Sequence, residues 1–100
     1  GIPVHFHTHD SSGVQAAGIL KASEHGLDIA DAALAPMSGL TSQANLNSIV
    51  QALRFSPRES GVDPDRLRAM ADYWGKVREF YAPFESPTLA AAAISPVSFA

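Results

Sequence analysis

Gly1-Ile-Pro-Val-His-Phe-His-Thr-His-Asp10 is the stretch on which the fold of this chain turns. Residues 2–7 read as a short β-strand, entered through Pro3, which a strand tolerates at its start. Side chains two apart on a strand share a face, so His5, His7 and His9 fall on one side. An acid, Asp10, follows at once. Histidine is the commonest metal ligand, through a neutral ring nitrogen. A pair at i and i+2 near a strand's end has the spacing to grip one ion from the same side.

Working outward, Asp10, Ser11, Ser12 and Gly13 form a turn, with Ser12 the expected cap of the next helix. That helix is expected over residues 14–25, with Ala16, Ala17, Ile19, Leu20 and Ala22 as its apolar face and Gly26 just past its end. Residues 27–34 read as a second strand, with Leu27, Ile29 and Ala33 at alternate positions. Strand, helix and strand at this spacing make a βαβ unit, so the strands are parallel and the class is α/β. Parallel strands are normally covered on both faces.

Residues 35–43 read as a loop of small polar residues around Gly39. A helix is expected over 44–54, where Leu46, Ile49, Val50 and Leu53 recur at helical spacing. A connector with Pro57 and Gly61 leads to Asp63 as N-cap and Pro64 at the first helical position. The third helix then runs to about Tyr81. Its expected apolar stripe is Leu67, Met70, Ala71, Trp74, Val77 and Tyr81, and Ala82-Pro83 ends it. No charged residue occurs after Glu85, and no element is assigned to the Ala-rich tail. There are no internal repeats.

The bulk numbers fit one globular domain or less: 100 residues, 46% hydrophobic, 17% charged. A net charge of −3 without a basic stripe argues against nucleic acid and anionic membrane surfaces. No apolar run is long enough to span a bilayer, and no secretory signal is recognisable. With no cysteine, disulfides and thiolate–zinc sites are excluded. The missing initiator Met and the immediate strand suggest a start inside something larger.

The histidines carry the strongest chemical signal, but two ligands are not a site. A catalytic divalent ion usually takes at least three protein ligands. His25 is at a helix end, and Asp10 is either a ligand or an orienter. Spacing alone leaves a metal site and three packed, hydrogen-bonded histidines equally open. His5, one pleat deeper, is better suited to support than to ligation. Asp31 either projects toward the site or is solvated, and Asp28 is expected to be solvated or to cap. The 36–43 loop is either an ordinary βα loop or an anion cradle of backbone N–H groups. Tyr73, Trp74, Phe80, Tyr81 and Phe84 are expected to pack. Ser11 and Ser12 lack the strand–turn–helix elbow of a hydrolase nucleophile. No residue of the chain is assigned a catalytic role.

Three motifs in order, His-Phe-His-Thr-His-Asp-Ser-Ser-Gly at 5–13, Met-Ser-Gly-Leu-Thr-Ser-Gln at 37–43 and Asp-Tyr-Trp-Gly-Lys-Val-Arg-Glu-Phe-Tyr-Ala-Pro-Phe-Glu-Ser at 72–86, closely resemble the pyruvate carboxylase family. They look like its biotin-dependent carboxyltransferase domain. The resemblance implies a partial TIM barrel, C-terminal βα units followed by helices, over 1–86, and a divergent, non-native or disordered tail over 87–100. It implies that His7 and His9 ligate a divalent metal, Zn or Mn, with Thr8 helping to set their orientation. The family's remaining ligands, an Asp on an early strand and a carbamylated Lys, and its catalytic Thr have no counterpart in this chain. Ser11 stands where the family usually has Thr, and Ala44 where it has Pro.

The implied reaction moves a carboxyl group from carboxybiotin to pyruvate, giving oxaloacetate, a step of anaplerosis and gluconeogenesis. Implied partners are pyruvate and the carboxybiotin carrier domain. Biotin and ATP are cofactors of the parent, a homotetramer of the bacterial cytoplasm or, less favoured, the mitochondrial matrix. The isolated chain is expected to be inactive. Two other readings stay open: another metal-dependent carboxyltransferase or lyase of the same barrel superfamily, and a non-enzymatic α/β interaction module.

Overall fold

The computed structural model describes residues 1–85. The expected tail at 87–100 lies outside the described residues. Strands β1 (His5–Phe6) and β2 (Ile29–Ala30) pair in parallel, with His5 opposite Ile29 and Phe6 opposite Ala30. Helix α1 (Gln15–Ser23) makes the crossover between them, as the βαβ spacing predicts. The α/β class holds, with strands shorter than their sequence patterns suggest. A strand stays extended only where a neighbour pairs with it, and among the described residues each of these two has one partner. The pairing is reinforced at both ends. Val4 N donates to the Asp28 carboxylate at 2.7 Å, and Asp31 N donates to Phe6 O at 3.1 Å. Asp28 therefore clips the sheet rather than standing free.

Each helix start has its own chemistry. The cap of α1 is not Ser12: the Asp10 carboxylate reaches over the turn and accepts from Gln15 N at 3.0 Å. Gly13, at φ +75°, makes that turn possible. Helix α2 (Leu46–Leu53) begins after Asn45, whose side chain accepts from Ser48 N at 3.2 Å. Helix α3 (Pro64–Tyr81) has the expected cap, with the Asp63 carboxylate accepting from Asp65 N at 2.9 Å. Between β2 and α2 lies a single 3₁₀ turn, Ala35–Met37.

The core is small. Ile19 of α1, Ile49 of α2 and Ala44 close it, with Phe6, Ala16, Leu20, Ala32 and Leu53 packed around them. Val50 and Leu67 are also buried. Helices thus cover the Phe6 side of the strand pair, and His5 lies exposed on the other. Helix α3 buries only part of its expected stripe: Leu67 is buried and Ala71 and Val77 half-buried, while Tyr81 is exposed. Met70 and Trp74 are exposed, as are Tyr73, Phe80 and Phe84. The face turned inward is Leu67, Ala71, Gly75, Val77 and Arg78. Gly75 packs on Pro36 of the 3₁₀ turn, at a distance where even a Cβ would make ordinary contact. No helix among the described residues is long and apolar enough to cross a membrane.

Candidate metal centre

His5 and His7 point to the same side of β1, and one carboxylate answers both. Asp31, one residue past β2, takes His5 Nε2 on Oδ1 at 2.8 Å and His7 Nδ1 on Oδ2 at 2.7 Å. Hydrogen bonds from His5 first and His7 second hold the Asp31 carboxyl below the usual carboxylate range. An ionised carboxylate only accepts, so both imidazoles donate to it. The proton of neutral His7 is then fixed on Nδ1 and the lone pair on Nε2.

His9 reaches the same state by another route. Its Nδ1 lies 2.6 Å from the carbonyl oxygen of Thr41. A carbonyl cannot donate, so the His9 proton also sits on Nδ1 and Nε2 is left with its lone pair. The His7 and His9 rings are neighbours, with centroids 5.1 Å apart and planes at 82°. Two adjacent imidazoles are thus each held from behind through Nδ1, with Nε2 free to ligate. Metal-bound histidines are usually oriented this way, by a carboxylate or carbonyl on the far nitrogen.

The Thr41 carbonyl is presented by a tightly wound loop. Gly39 N donates to Gln43 O at 2.8 Å and Ser42 N to Gly39 O at 2.9 Å. Gly39 and Leu40 both have positive φ, +85° and +51°. For leucine that conformation costs about 1 to 2 kcal/mol. The loop is tied to the histidine strand by a bond from Asp10 N to Ser42 O at 2.8 Å. Asp10 therefore organises the turn and the loop with both its main chain and its side chain. Thr8 has a lesser part: its hydroxyl donates a long, 3.4 Å bond to His9 O.

The structure thus brings together His5, His7, His9 and Asp31, and uses Asp28 and Asp10 for scaffolding. Among the described residues no three His, Asp or Glu side chains converge as a complete metal cage. Residue types do not reveal the contribution of Thr41, because it is a backbone carbonyl. Asp31 is legible from the period of its strand.

No protein-family model matches the chain. Among curated proteins it is 41% identical over 87 residues to pyruvate carboxylase 1 of Caenorhabditis elegans, covering 87% of this chain and 7% of that protein. It is 44% identical over 85 residues to the pyruvate carboxylase of Staphylococcus aureus, 85% of this chain and again 7% of the relative. The chain thus spans a small part of the length of these relatives. Among solved structures it resembles the carboxyl transferase domain from Rhizobium etli pyruvate carboxylase with pyruvate and biocytin. There the TM-score is 0.83 and the identity 53%, covering 87% of this chain and 15% of that one. The same domain has also been solved with oxalate. The likeness read from the three motifs, to the carboxyl transferase domain of pyruvate carboxylase, is shown in both sequence and structure.

Proposed function

We propose that this chain, similar as it is to a segment of the pyruvate carboxylase carboxyl transferase domain, is a working part of such a domain. The domain would move a carboxyl group from carboxybiotin to pyruvate, yielding oxaloacetate. His7 and His9 would be two of the ligands of its divalent metal, Zn or Mn. The observation that carries this is the pair of adjacent imidazoles, both held through Nδ1 with Nε2 left open. The donor set fits the group: neutral imidazole suits Zn, and Mn would lean on oxygen donors added to the pair. When bound, the metal supplies Lewis acidity that polarises a substrate carbonyl.

The chain's own residues then have distinct tasks. His7 and His9 hold the ion, and Asp31 keeps His7 in its ligating tautomer. His5 braces Asp31 from its second oxygen. The Thr41 carbonyl keeps His9 in the matching tautomer. Placement fits as well: His7 and His9 lie just past the C-terminal end of β1, the end at which TIM barrels carry their sites. The two parallel strands with helices on one face are two βα units of such a barrel. Its other strands would pair with the two open edges. The remaining ligands, the pyruvate and biotin contacts and the ATP-dependent step would belong to other parts of a larger, tetrameric protein.

The test is a chimera. Residues 1–85 replace the matching segment of the Rhizobium etli carboxyl transferase domain, and oxaloacetate-linked carboxyl transfer is measured. Transfer is expected in the chimera and lost on His7→Ala or His9→Ala, with metal content falling in parallel. A folded chimera with no transfer sinks the functional reading. Variants that keep their metal sink the ligand assignment.

A further inference from the structure

We infer that Arg78, on the inner face of α3, is a positioning residue for His9, acting through the Thr41 loop. Its guanidinium Nη1 donates to Pro36 O at 2.6 Å, a short charge-assisted bond to the 3₁₀ turn. Nε and Nη2 donate to the two oxygens of Glu85 at 3.2 and 3.4 Å. Glu85 thereby fixes the guanidinium plane, and Arg78 delivers one donor to one carbonyl. The same helix makes a second contact with that turn, where the Tyr81 hydroxyl lies 3.2 Å from Met37 Sδ; Gly75 lies beside Pro36, close enough that an added Cβ would touch it.

Pro36 and Met37 lead straight into the strained residues of the site loop. Leu40 sits at φ +51°, and the next carbonyl, that of Thr41, receives His9 Nδ1. A leucine stays in the left-handed region only where its surroundings over-determine it. The loop is closed by its own Gly39–Gln43 and Ser42–Gly39 bonds and tied to the histidine strand by Asp10 N to Ser42 O. The turn that leads into it is held by Asn47 Oδ1, which accepts from Ala35 N, and, from α3, by Arg78 on Pro36 O. Remove the Arg78 tie and residues 36–40 can relax. Relaxing Leu40 rotates the peptide that follows and turns the Thr41 carbonyl away from His9. His9 then loses the acceptor that keeps its proton on Nδ1. His7 is untouched, because its acceptor is Asp31 beside β2. The structure therefore predicts a selective effect: a distant arginine controls one imidazole of the pair and not the other.

The consequence for metal binding rests on the reading of His7 and His9 as ligands, but the effect on His9 can be read without metal. The experiment uses the ¹⁵N-labelled full chain at alkaline pH, where the imidazoles are neutral. Long-range ¹H–¹⁵N correlation identifies the ring tautomers. Wild type should show His7 and His9 as Nδ1–H. Arg78→Ala should move His9 toward Nε2–H and leave His7 unchanged, while Arg78→Lys, with one donor still in reach of Pro36 O, restores His9 in part. With Co²⁺ as probe, Arg78→Ala should weaken binding about tenfold, within the range for loss of support behind a ligand. An unchanged His9, or an equal shift at His7 and His9, overturns the inference. If Arg78→Ala loses its helical circular dichroism, Glu85→Gln gives the milder form: a smaller shift at His9 alone supports the role, and none refutes it. A wild-type chain that binds no Co²⁺ but shows the His9 shift would refute the metal site and keep the positioning role.

Discussion

At the scale of the residue, Asp31 does the most for its size. One side chain accepts from two histidines and fixes the proton of each, on His5 Nε2 and His7 Nδ1. Asp31→Ala should therefore weaken Zn²⁺ binding by about 10- to 100-fold, measured by competition with a chromophoric chelator. His5→Ala removes only the brace on Asp31 and should cost clearly less. If His5→Ala costs as much as His7→Ala, His5 is a ligand and the order proposed for the three histidines is wrong. The period of the two strands is enough to put His5 and His7 on one face and to leave Asp31 able to project toward them. It cannot show Thr41, whose side chain is irrelevant and whose carbonyl does the holding. Backbone acceptors leave no mark on residue type, and this one is brought into place by the winding of the loop at Gly39 and Leu40.

The same contrast holds for the elements. The sequence pattern predicts three helices and two parallel strands, and all are present. The start of α3 is legible because Asp63-Pro64 encodes its own cap. The start of α1 is not, because the capping carboxylate comes from Asp10, across a turn, rather than from the nearer Ser12. The inner face of α3 is legible only in part. Period counting finds Leu67, Ala71 and Val77, but it follows apolar residues and so misses Gly75 and the charged Arg78 beside them. Two stability predictions belong here. Ile49→Ala, in the packed centre of α2, should destabilise by about 2 to 5 kcal/mol in urea unfolding. Asn45→Ala, which removes the α2 cap, should cost about 0.5 to 2 kcal/mol. If the Asn45 variant is as stable as wild type, the cap is ornamental and α2 is held by Ile49 and Val50 alone.

As a whole molecule, residues 1–85 carry more apolar surface than their core consumes. Ile2, Phe55, Phe80 and Phe84 are each more than four-fifths exposed, and Ile29 of β2 is 49% exposed. Large exposed apolar surface marks contact with something else. In the proposed setting, neighbouring barrel strands and the rest of a large enzyme would cover it. The 100-residue chain by itself should bind a hydrophobic dye and self-associate with rising concentration in sedimentation. It should form no oxaloacetate from carboxybiotin and pyruvate. Biotin-dependent oxaloacetate formation by the purified chain would show that the site works without further ligands, contrary to the incomplete cage among the described residues. The short strands follow from the same cause, since strand length depends on partners and the sequence of one βαβ unit does not supply them.

The carboxylate shared by His5 and His7 also bears on how the chain finds its alignment. A hairpin's tight turn sets its own register, but parallel strands joined through a helix get no such guidance. Here His5 faces Ile29, which sets Asp31 on the histidine side of the sheet. A slip of one residue would send every β2 side chain to the opposite face. Asp31 would then enter the layer occupied by Phe6 and the helices, an unpaired charge among apolar groups, and both histidines would lose their acceptor. The Asp31–histidine network is therefore also a proofreading device for strand alignment: a chain that has assembled the wrong way cannot form it.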